Sequence, residues 1–261
     1  MEILEKAARN YTNMTVSDAI DTIFALFKAS KNMEEDLQNI KQHIGFIRLW
    51  EVLNRNVRLM KTNEIISSLR VLTYFKISAN CVLTQSLLQM IRANVNEISL
   101  QDMMKIIMLL KKIDSTPLGD ALLIALPIVF EAQLPTKLNP DNIFMLTQSL
   151  RFISENNINN PEIQNIILKS LQKFEKNLDV QTAWSIFCSL CVASYMSPIA
   201  FELLFNIQKI LISDAKQLSV FEIIKALHKL VLVTRKYVIF TRVTLIFSIV
   251  KNEILTVLLL L

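Results

Sequence analysis

A period close to 40 residues constrains this chain more than any other feature of it. Markers at Thr15, Lys61, Ser99, Asn139, Asp179 and Ser219 stand 46, 38, 40, 40 and 40 positions apart. All but Lys61 carry a side-chain oxygen that accepts from the free amides of a helix start. Lys61 is followed at once by Thr62 and Asn63. Eleven positions after the markers stand Leu26, Leu72, Leu110, Leu150, Leu190 and Leu230. Eight positions after them stand Ile23, Leu69, Ile107, Thr147, Phe187 and Leu227, and five after them Ile20, Ile66, Met104, Phe144, Trp184 and Ile224. Residues three and four apart share one face of an α-helix, so these columns predict an amphipathic helix after every marker.

Each interval also leaves room for a second helix. Ser78, Thr116-Pro117, Asn160-Pro161 and Ser197-Pro198 announce it, 17, 17, 21 and 18 residues after their markers. Proline at the first helical position gives up only an amide that would be unbonded anyway, and the residue before it serves as cap. One such helix pair cannot bury both its apolar faces, so neighbours must stack. Strand signals, alternation bounded by turns, are nearly absent. The expectation is an all-α solenoid, right- or left-twisting, of about six helix–turn–helix repeats of 38–40 residues. Residues 1–60 would hold N-terminal helices and the first repeat, 61–236 the main array, and 237–261 the last returning helix with an exposed flank. Residues 1–14, poor in apolar periodicity, are expected to be loosely attached.

The same sequence excludes most enzyme plans. Loops that cradle nucleotides need several glycines, and only Gly45 and Gly119 are present. Two histidines, His43 and His228, lack partners at metal-ligand spacing. Three cysteines do not describe a disulfide framework. Cys188 and Cys191 have a C-x-x-C spacing but no second pair to complete a zinc site, and they read as core cysteines. Asp141, Glu155 and Glu162 lie close in sequence with no sign of a shared cleft. No catalytic residue, metal or cofactor is expected, and the chain reads as a non-enzyme. Mean hydropathy is high at +0.39, yet the longest apolar run, Ala121–Phe130, is ten residues and contains Pro127. A spanning helix needs about 18 or more apolar residues, so no integral membrane span is expected.

A period near 40 is longer than tetratricopeptide or ankyrin units and suits HEAT or armadillo units. The interior motifs resemble a different family. Leu49-Trp50-Glu51-Val52-Leu53, then Thr62-Asn63-Glu64-Ile65-Ile66-Ser67-Ser68-Leu69, then Asn94-Val95-Asn96-Glu97-Ile98-Ser99-Leu100-Gln101-Asp102 are similar to the leucine-rich region of the Fas-activated serine/threonine kinase family. The resemblance covers residues from about 45 to 235. It implies a helical-repeat protein of the mitochondrial matrix that binds single-stranded mitochondrial RNA and acts in RNA processing or mRNA stability. It also implies other RNA-granule proteins as partners. Such proteins usually add an N-terminal leader and a C-terminal RAP domain. Neither is visible here, so the chain is expected to be a repeat-region fragment. No glycine loop or His-Arg-Asp motif supports a kinase.

Charge points the same way. The net charge is +5, and the excess lies in 61–112 and 179–261. Polar residues on successive first helices, off the leucine stripe, would form a ladder along RNA. Arg70, Lys105, Lys225 and Lys229 are the expected phosphate contacts. Ser67, Gln148, Ser149 and Ser185 are the expected base contacts, because they donate and accept. The competing reading of these positions is an ordinary solvated face on a HEAT/armadillo-like protein-interaction scaffold with no RNA role.

Overall fold

The computed structural model describes residues 2–29, 34–193 and 197–213, together with Ser219 and His228. Among the described residues every regular element is helical. The chain divides into two compact units, residues 1–133 and 134–261.

The first unit opens with α1 (Glu2–Asn10), a 3₁₀ turn at Tyr11–Asn13, and α2 (Val16–Ala29). Next come α3 (Glu34–Gln42), α4 (Ile44–Asn56), α5 (Thr62–Tyr74), α6 (Val82–Ala93) and α7 (Leu100–Leu110). A long helix, α8 (Pro117–Lys137), follows. The first helices of successive intervals lie side by side, α2 against α5 and α5 against α7. The returning helices α4 and α6 touch each other behind them. The first interval holds both α3 and α4, which accounts for its extra length.

The second unit contains α9 (Ile143–Glu155), α10 (Pro161–Gln172), α11 (Val180–Val192) and α12 (Pro198–Ser213). Helix α9 packs on α11 and α10 packs on α12, while α9–α10 and α11–α12 close the hairpins.

Caps fall where the sequence asked for them, with two shifts. The Thr15 hydroxyl accepts from the Asp18 amide (3.1 Å), and the Asp18 carboxylate accepts from the Thr15 amide (3.0 Å). These are the two reciprocal bonds of a capping box. Ser99 Oγ accepts from Asp102 N at 3.1 Å, and Asp179 Oδ1 accepts from Thr182 N at 2.9 Å. At Lys61, which has no acceptor to offer, Glu64 accepts from the Lys61 amide at 2.7 Å instead. Among the returning helices, Thr116 Oγ1, Asn160 Oδ1 and Ser197 Oγ accept from Gly119, Ile163 and Ala200 amides. One shift is at α9. Asn139 spends its side chain on an Asx turn with the Asp141 amide (2.9 Å), and Asn142 becomes the cap through Met145 N (3.0 Å). Helix α6 likewise starts later than Ser78, at the Cys81 cap.

The leucine column is the core of both units: Leu26, Leu72, Leu110, Leu150 and Leu190 are at most 4% exposed. Leu230 lies outside the described residues, as do the returning helix expected at 237–261 and the Ile224 and Leu227 positions. The eighth-position column is buried throughout its described members, including the polar Thr147. The fifth-position column fails at Phe144, which is exposed. The late start of α9 puts Phe144 in the first turn of that helix.

The expectation of a loose segment at 1–14 is overturned. Leu4 and Ala7 are buried, and α1 packs along α4. A β-carbon on Gly45 would collide with the Leu4 carbonyl, so glycine is what lets the two backbones meet. Helix α4 then holds the following turn. Arg55 Nη2 donates to the Tyr11 and Thr12 carbonyls (3.0 and 3.2 Å), and the Arg48 guanidinium lies 4.6 Å from the centre of the Tyr11 ring. The apolar periodicity of 1–14 is short, but it finds a partner face.

Helix α8 runs through Pro127 and Pro135 for 21 residues, well beyond the ten-residue apolar run read from the sequence. It is the one helix among the described residues that is long and apolar enough to cross a membrane by length and composition. Core helices of water-soluble proteins pass the same test. Leu122, Leu126 and Phe130 are buried at a spacing of four, whereas Ile124 and Ile128 are exposed.

Candidate nucleic-acid interface

The sequence-expected contacts occupy different environments. Arg70 is exposed on α5, four residues before Tyr74. Lys105 on α7 is tied to Asp102 by a 2.9 Å ion pair one turn back on the same helix. Ser67 is half-buried on α5. Within this unit α5 and α7 are neighbours, so Arg70 and Lys105 belong to adjacent helices. In the second unit Gln148 and Ser185 are half-buried on the adjacent helices α9 and α11. Ser149 is a correction: it is fully buried and its hydroxyl has no hydrogen-bond partner, so it is not presented to a base. It stands one residue before the buried Leu150 of the stripe. Lys225 and Lys229 lie outside the described residues.

The cation positions differ in how free their charge is. Arg48 is engaged by Glu51 at 2.8 Å, which raises its guanidinium pKa above the ordinary value. Arg151 bonds Glu155 at 2.7 Å on the exposed side of α9. Two carboxylates at helix starts, Asp18 and Asp179, are held below the ordinary carboxyl range by hydrogen bonds. Thr15 does this for Asp18 through its hydroxyl and amide, and Thr182 does it for Asp179 through its amide and hydroxyl.

Sequence reading missed the aromatic side of this surface. Phe27 of α2 stacks on Tyr74 of α5 with ring centroids 4.4 Å apart and planes 15° apart. Phe24 meets the same ring at 77° and 6.1 Å. The signal was present in the columns. Phe24 and Arg70 are both nine positions after their markers, and Lys28 and Tyr74 both thirteen.

The remaining candidates stay local. Nδ1 of His43 caps α4 by accepting from Gly45 N at 3.0 Å. Cys188 and Cys191 are half-buried on α11, and Trp184 stacks on Phe187 there. No group of three or more metal-ligating side chains occurs among the described residues. A groove of about 570 Å³ between α1 and α2 is lined by Lys6, Asn10, Asp18 and Asp21 with an apolar side of Ile3 and Ala7. Thr15 already occupies the Asp18 carboxylate there.

Among the described residues the fold is all-helical, and the exposed first-helix surface of the first unit carries cations and aromatic rings. No protein-family model, curated protein or solved structure matches the chain. The likeness to the Fas-activated kinase family rests on the motifs quoted above.

Proposed function

We propose that this chain is an RNA-binding helical-repeat protein, a solenoid of helix pairs, acting in mitochondrial RNA processing or mRNA stability. The observation that carries the reading is the side-by-side packing of α2, α5 and α7 with an exposed cation, Arg70, off their buried leucine stripe. Repeat proteins read single strands from such a face, one repeat after another. The site of the activity and its matrix location come from the family resemblance. Single-stranded RNA is the partner. Arg70, Lys105, Lys225 and Lys229 contact phosphate, and Ser67, Gln148 and Ser185 face bases.

A filter-binding titration of the purified chain against single-stranded RNA tests this. Phosphate contacts release counterions, so affinity should fall steeply from low to moderate salt. Binding no tighter than micromolar and indifferent to joint alanine substitution of Arg70, Lys105, Lys225 and Lys229 leaves the protein-scaffold reading ahead. One observation favours that second reading. Ile124 and Ile128 form an exposed apolar strip on α8, the kind of surface a protein partner covers.

A further inference from the structure

We infer that the C-terminal turns of α2 and α5, with the turn after α7, form a base-stacking site for single-stranded RNA in which Tyr74 is the platform. The inference rests on the RNA-binding reading above and gives it a place on the molecule. Stacking sites for single strands combine an aromatic face, which accepts any base, with cations that follow the backbone. Both components meet here.

The platform is built from two helices. Phe27 supports one face of Tyr74 in a near-parallel stack, and Phe24 braces it from the side. So held, Tyr74 still keeps 38% of its surface exposed. A large aromatic residue fixed by two others loses little freedom when a base lands on it. That is the economy of an aromatic contact with only two rotatable side-chain angles. Arg70 lies one turn before Tyr74 on α5, at the spacing where side chains on one helix are neighbours. Its planar guanidinium suits both phosphate and the face of a base.

The stretches that end these helices are rich in cations. Segments 24–28, 70–74 and 108–112 contain Lys28, Arg70, Lys111 and Lys112, with Lys76 two residues after the second and Asp114 two residues after the third. Because α2 packs on α5 and α5 on α7, the three segments belong to adjacent helices. Met108, 56% exposed on α7, adds a polarizable apolar surface next in line. Cations at a helix C-terminus also favour the helix dipole. That account fits every helix alike, and the corresponding segments of the second unit do not follow it. Segment 188–192 on α11 has no charge, and 148–152 on α9 holds Arg151 alone.

The test separates bases from phosphates. The full chain is titrated with a single-stranded oligouridine and with an abasic ribose-phosphate oligomer of the same length. Wild type should prefer the base-bearing strand. Tyr74→Ala should weaken oligouridine binding by about tenfold, the effect of losing one base–aromatic stack, and leave abasic binding unchanged. Tyr74→Phe should restore the preference. Arg70→Gln should weaken both ligands. Because Tyr74 also packs on α2, photocrosslinking of 4-thiouridine RNA to the unmodified chain gives a readout free of any substitution. The crosslink should map to the tryptic peptide at 71–76 or to the one carrying Phe24. Binding of RNA with crosslinks elsewhere, or equal affinity for the two oligomers, overturns the stacking site and leaves the RNA-binding reading standing. Binding of neither oligomer overturns both.

Discussion

Gly45 and Thr147 show what single residues impose on this fold. Gly45 admits the Leu4 carbonyl into the space a β-carbon would fill. Gly45→Ala should therefore push α1 off α4 and cost about 1–3 kcal/mol, as overpacking of a close contact does. Urea unfolding should show it, together with faster proteolysis at Lys6 and Arg9. An unchanged midpoint and cleavage pattern would mean that α1 does not dock as described. Thr147 sits in a column otherwise made of Ile23, Leu69, Ile107 and Phe187, and its buried hydroxyl has no partner. A hydroxyl held from water without a hydrogen bond costs about 1–3 kcal/mol. Thr147→Val keeps the shape and removes that cost, so the melting temperature should rise; a fall would show that the hydroxyl is bonded in solution. Thr147 was legible in the sequence as a polar member of an apolar stripe. Gly45 was not, because its role depends on Leu4, forty-one positions away.

At the scale of elements, helix starts carried the most readable information, since a cap and the amides that donate to it lie within three residues of each other. Asp179 caps α11 through the Thr182 amide and hydroxyl, and these bonds lower its pKa. A depressed carboxyl contributes stability above the unfolded pKa, about 3.9. That contribution is lost as pH falls through the still lower folded value. Asp179→Ala should cost about 0.5–2 kcal/mol at neutral pH, the usual loss for a cap. The gap to wild type should narrow below about pH 4. Asp179→Asn, whose amide oxygen also accepts, should stay close to wild type at neutral pH and lack the acid-dependent part. Urea midpoints at pH 7 and pH 3 decide it; a gap that widens in acid would contradict the cap. The three-residue shift of α9 was illegible for a definite reason. Asn139 and Asn142 are equivalent candidates on either side of Pro140, and only the Asx turn at Asp141 settles which one caps. The aromatic cluster of α2 and α5 was hidden differently. Phe24 and Phe27 look like core residues in one helix, and only the packing of α5 alongside shows that Tyr74 is held half in water.

Over the whole molecule, a net charge of +5 on 261 residues is too mild to bind a polyanion by bulk attraction. What counts is how many cations meet phosphate without a carboxylate already beside them. The salt dependence of RNA binding reads that number, because each phosphate neutralised releases condensed counterions. Arg70 is exposed and shares its stretch of α5 with no acidic residue between Ser67 and Lys76. Lys105 has the Asp102 carboxylate at 2.9 Å. Arg70→Ala should therefore lower the slope of log affinity against log salt by about one. Lys105→Ala should lower it by distinctly less, since the pair must open before the lysine neutralises a phosphate. Exposed pairs of this kind are worth only about 0–1 kcal/mol, so the difference should show in the slope more than in the affinity itself. Asp102→Asn in the otherwise unmodified chain should steepen the slope by releasing Lys105, while Ser99 keeps the helix start capped. Equal slopes for Arg70→Ala, Lys105→Ala and wild type would mean that RNA, if bound, follows another face of the molecule.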